Sequence, residues 1–198
     1  MLKEVDHPHI IKFFEVYESN NKYFLVQEFC SGGTLQDRMN LRKGCFKEHQ
    51  IRDILWQIMV SISYMHARHI AHRDIKPDNF MFTKESGVFM KLIDLGLSES
   101  FYDKRFKSQV GTPCYMSPQV YDFDYNEKCD MWSIGVILYE MMTGTDPFSG
   151  ETFDDIKFNV RTMNYDINLL TNCEYSAPLI DLAKGLLEYA EDDRLSAY

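Results

Sequence analysis

Two short runs of aliphatic, β-branched and aromatic residues open the chain, Ile10 to Tyr17 and Tyr23 to Gln27. Asn20-Asn21 lies between them, and asparagine tolerates the backbone of a tight turn, so the pattern predicts an antiparallel hairpin. Ser31-Gly32-Gly33-Thr34 then breaks the run and offers a helix cap. From Phe46 to His69 the apolar spacing changes to three and four. Ile51, Ile54, Leu55, Ile58, Ile62 and Met65 fall on one buried face of a helix. Residues 70–93 read as a loop and two short strands, Phe80 to Thr83 and Val88 to Ile93, joined at Glu85-Ser86-Gly87. Residues 94–119 carry no periodicity, as expected of a long functional loop. Asp130 to Met142 is apolar nearly throughout, a helix stopped by Thr143-Gly144 with Pro147 just beyond. Two further helices are predicted near 152–161 and 178–188. Strands first and helices after make an α+β fold.

The totals narrow the class of protein. A chain of 198 residues is enough for one domain with a sizeable core. Hydrophobic residues at 45% and charged residues at 26% argue against disorder. The formal charge of -9 argues against a nucleic-acid partner and against a polybasic membrane anchor, and suits a basic peptide. No apolar run approaches the roughly 18 residues of a membrane span. The opening residues lack the apolar stretch of a signal peptide. The cysteines, Cys30, Cys45, Cys114, Cys129 and Cys173, are odd in number and form no C-x-x-C pair. A disulfide framework and a zinc site are therefore not expected, and a reducing compartment is: the cytoplasm, with the nucleus also open to the protein.

Three separated segments carry candidate chemistry. Asp74 is followed by Lys76 and Asn79; Asp94 stands in Ile93-Asp94-Leu95-Gly96; Gly111-Thr112-Pro113 precedes Ser117-Pro118-Gln119. Phosphoryl transfer from a nucleotide needs metal ions on the phosphates, a cation on the moving group and a carboxylate to orient the attacking hydroxyl. Asp94 and Asn79 offer hard oxygen ligands for Mg²⁺. Lys76 is a point charge for the terminal phosphate, and Asp74 can accept a hydrogen bond from a hydroxyl. Asp122, Asp124 and Asn126 mimic the start of a calcium loop, but Glu127 and Ser133 stand where that loop needs Gly and Glu, so calcium is not expected there.

His72-Arg73-Asp74-Ile75-Lys76-Pro77-Asp78-Asn79 resembles the catalytic loop of protein kinases. Asp94-Leu95-Gly96 resembles their D-F-G metal motif, and Ser117-Pro118-Gln119 the A-P-E that closes the activation segment. Asp130-Met131-Trp132-Ser133-Ile134-Gly135 is similar to the central helix whose aspartate holds the catalytic-loop backbone, and Asp193-Arg194 to the late arginine of the lobe. Asp6-His7-Pro8-His9-Ile10-Ile11 and Tyr125-Asn126-Glu127-Lys128-Cys129-Asp130 are closest to the calcium/calmodulin-dependent and calcium-dependent protein kinases. The resemblance implies a serine/threonine kinase using ATP and Mg²⁺ on a protein or peptide substrate. It implies that Asp74 is the base, that Thr112 contacts Asp74 and Lys76, and that Asn79 and Asp94 are metal ligands. Gln27 would be the gatekeeper, the backbone of Glu28 to Cys30 the hinge that binds adenine, and Met81 the floor of its pocket. Asp78 and Glu140 match positions that receive basic substrate side chains, and Ser108 a position that often carries an activating phosphate, pairing with Arg73. A calcium-sensing domain or partner would lie outside this chain.

The same comparison divides the chain into the end of a small lobe (1–27), a hinge (28–33) and a large lobe without its final helix (34–198). The family's Gly-rich loop and strand lysine fall before Met1, and Leu2 is expected to be the last core residue of a helix. The chain is then expected to hold the base, both metal ligands and the peptide platform without the lid over the phosphates, and to bind ATP poorly. Gln119 replaces a glutamate that would pair with Arg194, and Thr34 stands where relatives often have glutamate. The alternative to an enzyme is a catalytically weak, kinase-like binding or regulatory module. A small-molecule phosphotransferase is disfavoured by the peptide platform at 111–119.

Overall fold

The computed structural model describes residues 5–42, 45–171 and 174–198; the expectations for Leu2 and Cys173 lie outside them. Strands β1 (Phe13–Ser19) and β2 (Lys22–Gln27) pair antiparallel, with Ser19 opposite Lys22. Asn20 and Asn21 close the turn at φ 51° and 58°, the left-handed pair that a two-residue hairpin turn needs. Helix α1 (Leu35–Arg42) follows where residues 31–34 offer a cap, although the periodicity predicts no extent for it. Thr34 caps it: the Thr34 N–H donates to Asp37 Oδ2 at 2.7 Å, and Thr34 Oγ1 accepts from the Asp37 N–H at 3.1 Å.

Helix α2 (Glu48–His66) starts two residues later and ends three earlier than the periodicity suggested, and all six predicted core positions are buried. Strand β3 (Ile70–Ala71) leads into the loop of residues 72–79, which ends in a 3₁₀ turn at Pro77–Asn79. Strands β4 (Phe80–Phe82) and β5 (Met90–Leu92) form a second hairpin. Gln57 of α2 clamps it, donating to the Val88 carbonyl at 3.0 Å and accepting from the Met90 N–H at 2.9 Å. Strand β6 (Glu99–Ser100) pairs back onto β3.

Helices α3 (Pro118–Tyr121), α4 (Lys128–Thr143), α5 (Phe153–Arg161), α6 (Ile167–Thr171) and α7 (Ala177–Leu186) complete the chain. Helix α4 is the axis of the core: every residue from Cys129 to Met142 is buried. It ends at Gly144, φ 75°, whose N–H donates to the Glu140 carbonyl at 2.8 Å. Trp132 stacks on Phe148 with ring centroids 5.3 Å apart. Because an all-round apolar helix is stable only when covered on every side, α4 fixes where its neighbours pack. Asp122 pairs with Arg161, and Asp124 with Arg105 and Lys107.

Candidate active site

The loop after β3 hangs from one buried carboxylate. Asp130, in the first turn of α4, accepts the His72 N–H at 2.8 Å and the Arg73 N–H at 2.8 Å, and its Oδ2 lies 2.9 Å from His66 Nε2. Burial pushes the Asp130 carboxyl up, but the bonds from His66 and the His72 main chain hold it below its usual range. A charged acceptor thus organises the loop from inside the core. His66, on α2, is a partner that the sequence reading missed. Arg73 takes a left-handed φ of 67°, and Asp94 one of 56°.

With the loop anchored, four of the expected residues meet. Thr112 Oγ1 donates to Asp74 Oδ1 at 2.7 Å, and Lys76 Nζ reaches Thr112 Oγ1 at 2.9 Å and Asp74 Oδ2 at 3.0 Å. Asn79 Nδ2 donates to the Asp74 carbonyl at 2.7 Å. Burial raises the Asp74 carboxyl, but hydrogen bonds from Thr112 and Lys76 and the charge of Lys76 outweigh it and hold it below the usual carboxylate range. Gly111 makes the approach of Thr112 possible. Its φ is 112°, and a Cβ there would come within 2.6 Å of the Arg73 carbonyl.

Asp94 joins this set through the backbone: the Ile93 N–H donates to the Asn79 carbonyl at 2.8 Å. Its Oδ1 accepts the Gly96 N–H at 3.0 Å, and the side chain is exposed. The Asn79 amide nitrogen donates to Asp74, and its Oδ1 has no hydrogen-bond partner among the described residues although the residue is buried. One carboxylate and one amide oxygen are a donor set that fits a hard divalent cation.

The expected nucleotide-binding residues lie elsewhere on the chain. Gln27 ends β2 opposite Phe13 and is exposed. Glu28 gives its N–H to the Lys12 carbonyl at 2.8 Å and its carboxylate to Lys91 at 3.0 Å. Cys30 is buried, which pushes its thiol pKa up. The segment then pairs with β4: the Gly32 N–H donates to the Phe82 carbonyl at 2.8 Å, and Thr34 bridges Met81. Glu28, Cys30 and Met81 are thereby brought along one edge, while Gln27 makes no hydrogen bond to the Asp74 group.

The protein kinase domain family matches residues 1–198, the whole chain. The chain belongs to the protein kinase family. It is 40% identical, over all of its length, to calcium-dependent protein kinase 4 of Plasmodium berghei (strain Anka) and to that of Plasmodium falciparum (isolate 3D7). It is 39% identical over 93% of its length to calcium-dependent protein kinase 6 of Plasmodium berghei. The chain spans 38% of the first two relatives and 12% of the third. Kinase domains use ATP and a divalent metal ion and act on protein substrates. No helix among the described residues of this one is long and apolar enough to cross a membrane.

Other kinase positions show how this domain departs from the common pattern. Where a glutamate would meet the late arginine, Gln119 Oε1 accepts from Arg194 Nη2 at 2.8 Å, and Gln119 Nε2 donates to the Tyr189 carbonyl at 2.6 Å. The amide keeps the geometry without the charge, and burial lowers the Arg194 pKa to about 10. Arg73 does reach Ser108, at 3.2 Å, but it also pairs with Glu99 at 2.7 Å. A carboxylate in the chain itself therefore already meets Arg73. Glu140 is buried, accepts from Tyr115 Oη, and faces a cavity of about 360 Å³ that Asp146 also lines. Asp78 is exposed.

Proposed function

We propose that this domain transfers the terminal phosphoryl group of ATP to serine or threonine hydroxyls of protein substrates. The observation that carries the reading is the Asp74–Thr112–Lys76–Asn79 network, which holds an ionised carboxylate beside a cation. A substrate hydroxyl donates to Asp74, which aligns it and takes its proton as the new oxygen–phosphorus bond forms and the bond to the leaving ADP breaks. Lys76 stabilises the charge on the transferring group. Asn79 Oδ1 and Asp94 would hold Mg²⁺, which would supply charge neutralisation at the phosphate oxygens. Glu28 to Cys30 and Met81 take the adenine, with Gln27 behind it. The exposed Asp78 carboxylate favours a basic substrate, and a cationic side chain seated beside Glu140 would draw off the proton that burial keeps on it. The names of the relatives point to calcium control exerted by a domain or partner beyond this segment. Retention of Asp74, Lys76, Asn79, Asp94 and Thr112 in working geometry supports an enzyme over a purely regulatory module.

The test uses the protein that carries this domain, a mixed serine, threonine and tyrosine peptide substrate, and ATP labelled in its terminal phosphate. Label is expected on serine and threonine, and it should vanish in Asp94→Ala. Label on tyrosine, or full activity in Asp94→Ala, would overturn the reading.

A further inference from the structure

A cavity of about 650 Å³ shares no residue with the Asp74 group. It lies between α1, α2 and the β4–β5 turn. Its floor is apolar, with Phe46 and Phe82 buried. Its walls are exposed apolar side chains: Trp56 at 60%, Phe89 at 41% and Val88 at 77%. A concave apolar surface of this size suits a bound ligand, and exposed tryptophan beside arginine is a common anchor pair at interfaces.

The rim is cationic in a chain of net charge -9. Arg38, Arg42 and Arg52 line it, against the single carboxylate of Asp53, which pairs with Arg52 at 3.0 Å. The other two guanidinium groups have only neutral partners among the described residues. Arg38 lies over the Phe82 ring at 3.2 Å and donates to the Gly87 carbonyl at 2.6 Å. Arg42 lies over Phe46 at 4.9 Å and donates to Gln50 Oε1 at 2.7 Å. Burial, and then the charge of Arg42, lower the Arg38 pKa, so an anion placed here would relieve a standing repulsion.

We propose that this groove docks an extended acidic segment of a partner protein. One large apolar side chain of the segment seats between Trp56 and Phe89, and its carboxylates pair with Arg42 and Arg52. The charge pattern selects this occupant. A nucleic acid or an anionic membrane would meet the repulsion of the acidic remainder of the chain, whereas a short segment meets only the local arginines. The site is separate from the phosphoryl-transfer reading and does not depend on it.

Trp56 is exposed while Trp132, the other tryptophan, is fully buried, so a change in emission reports on the groove. The probe is the peptide Glu-Glu-Leu-Phe-Glu-Glu, with Lys-Lys-Leu-Phe-Lys-Lys as its counterpart, titrated into the full chain. The acidic probe is expected to give a saturable change and to bind about ten-fold or more tighter than the basic one. Its affinity should fall by about ten-fold or more in the Arg42→Glu, Arg52→Glu double variant, fall with added salt in the wild type, and stay unchanged in Asp74→Asn. Both replaced arginines are exposed, and thermal melting checks that the variant folds. Absence of saturable binding, equal binding of the basic probe, undiminished binding in the folded double variant, or loss of the probe as the chain self-associates would each overturn the proposal.

Discussion

Asp130 and Glu140 lie on the same helix, both buried, yet their carboxyl groups move in opposite directions. Asp130 is held low by His66 and two main-chain N–H groups. Glu140 is raised by burial to about 8, which one Tyr115 hydroxyl does not offset. The folded chain therefore keeps a proton on Glu140 that the unfolded chain releases from about pH 4.5 upward. Stability contributed by this residue falls as pH rises through that window and levels off above about pH 8. Glu140→Gln should melt close to the wild type near pH 5 and progressively above it toward pH 8, as read by melting temperature against pH. A constant difference across that range would contradict the assignment. The meeting of Asp74, Lys76, Asn79 and Thr112 was legible at this scale, because the loop at 72–79 and the Gly111-Thr112 pair mark those residues by their identities. His66 beneath Asp130 and Glu99 on Arg73 were not, since nothing local marks a partner brought in from another element.

Elements with long periodic faces were read correctly, as was the short β4–β5 hairpin, while α1, α6 and the β3–β6 pair were missed for a physical reason. Helices α2 and α4 announce themselves through buried positions along their whole length, whereas α1 buries only Leu35 and α6 only Leu170. The β3–β6 pair is two residues per strand and exists because the anchored loop brings residues 70–71 and 99–100 together. Helices α4 and α7 pack closely where they meet at Gly135. A Cβ on Gly135 would lie 2.9 Å from Leu186 Cβ and 3.0 Å from Leu187, both buried. Gly135→Ala should therefore destabilise the domain by about 1–3 kcal/mol in urea unfolding, despite the better helix propensity of alanine. An unchanged or raised midpoint would show that the crossing has slack.

Across the whole molecule, order is unevenly supported. The core around α4 is continuous, but Phe14, Val16, Tyr23, Phe24 and Leu25 of the β1–β2 hairpin are each about half exposed or more. A two-stranded sheet with little burial is marginal on its own. Amides of residues 13–27 should exchange with solvent far faster than those of 128–143, by hydrogen exchange of this chain. Comparable protection would contradict a marginal hairpin. The Asp74 group itself rests on the α4 core rather than on the hairpin, so its geometry is expected to survive such motion.

The central claim is that Asp74 acts in the chemical step rather than in binding, and the most direct measurement compares Asp74→Asn with the wild type in the protein that carries this domain. With a serine peptide at saturation, kcat should fall by about 10²- to 10⁴-fold while the dissociation constant for Mg-ATP stays the same. A kcat within a few fold of wild type, or a loss explained wholly by weaker nucleotide binding, would contradict the account.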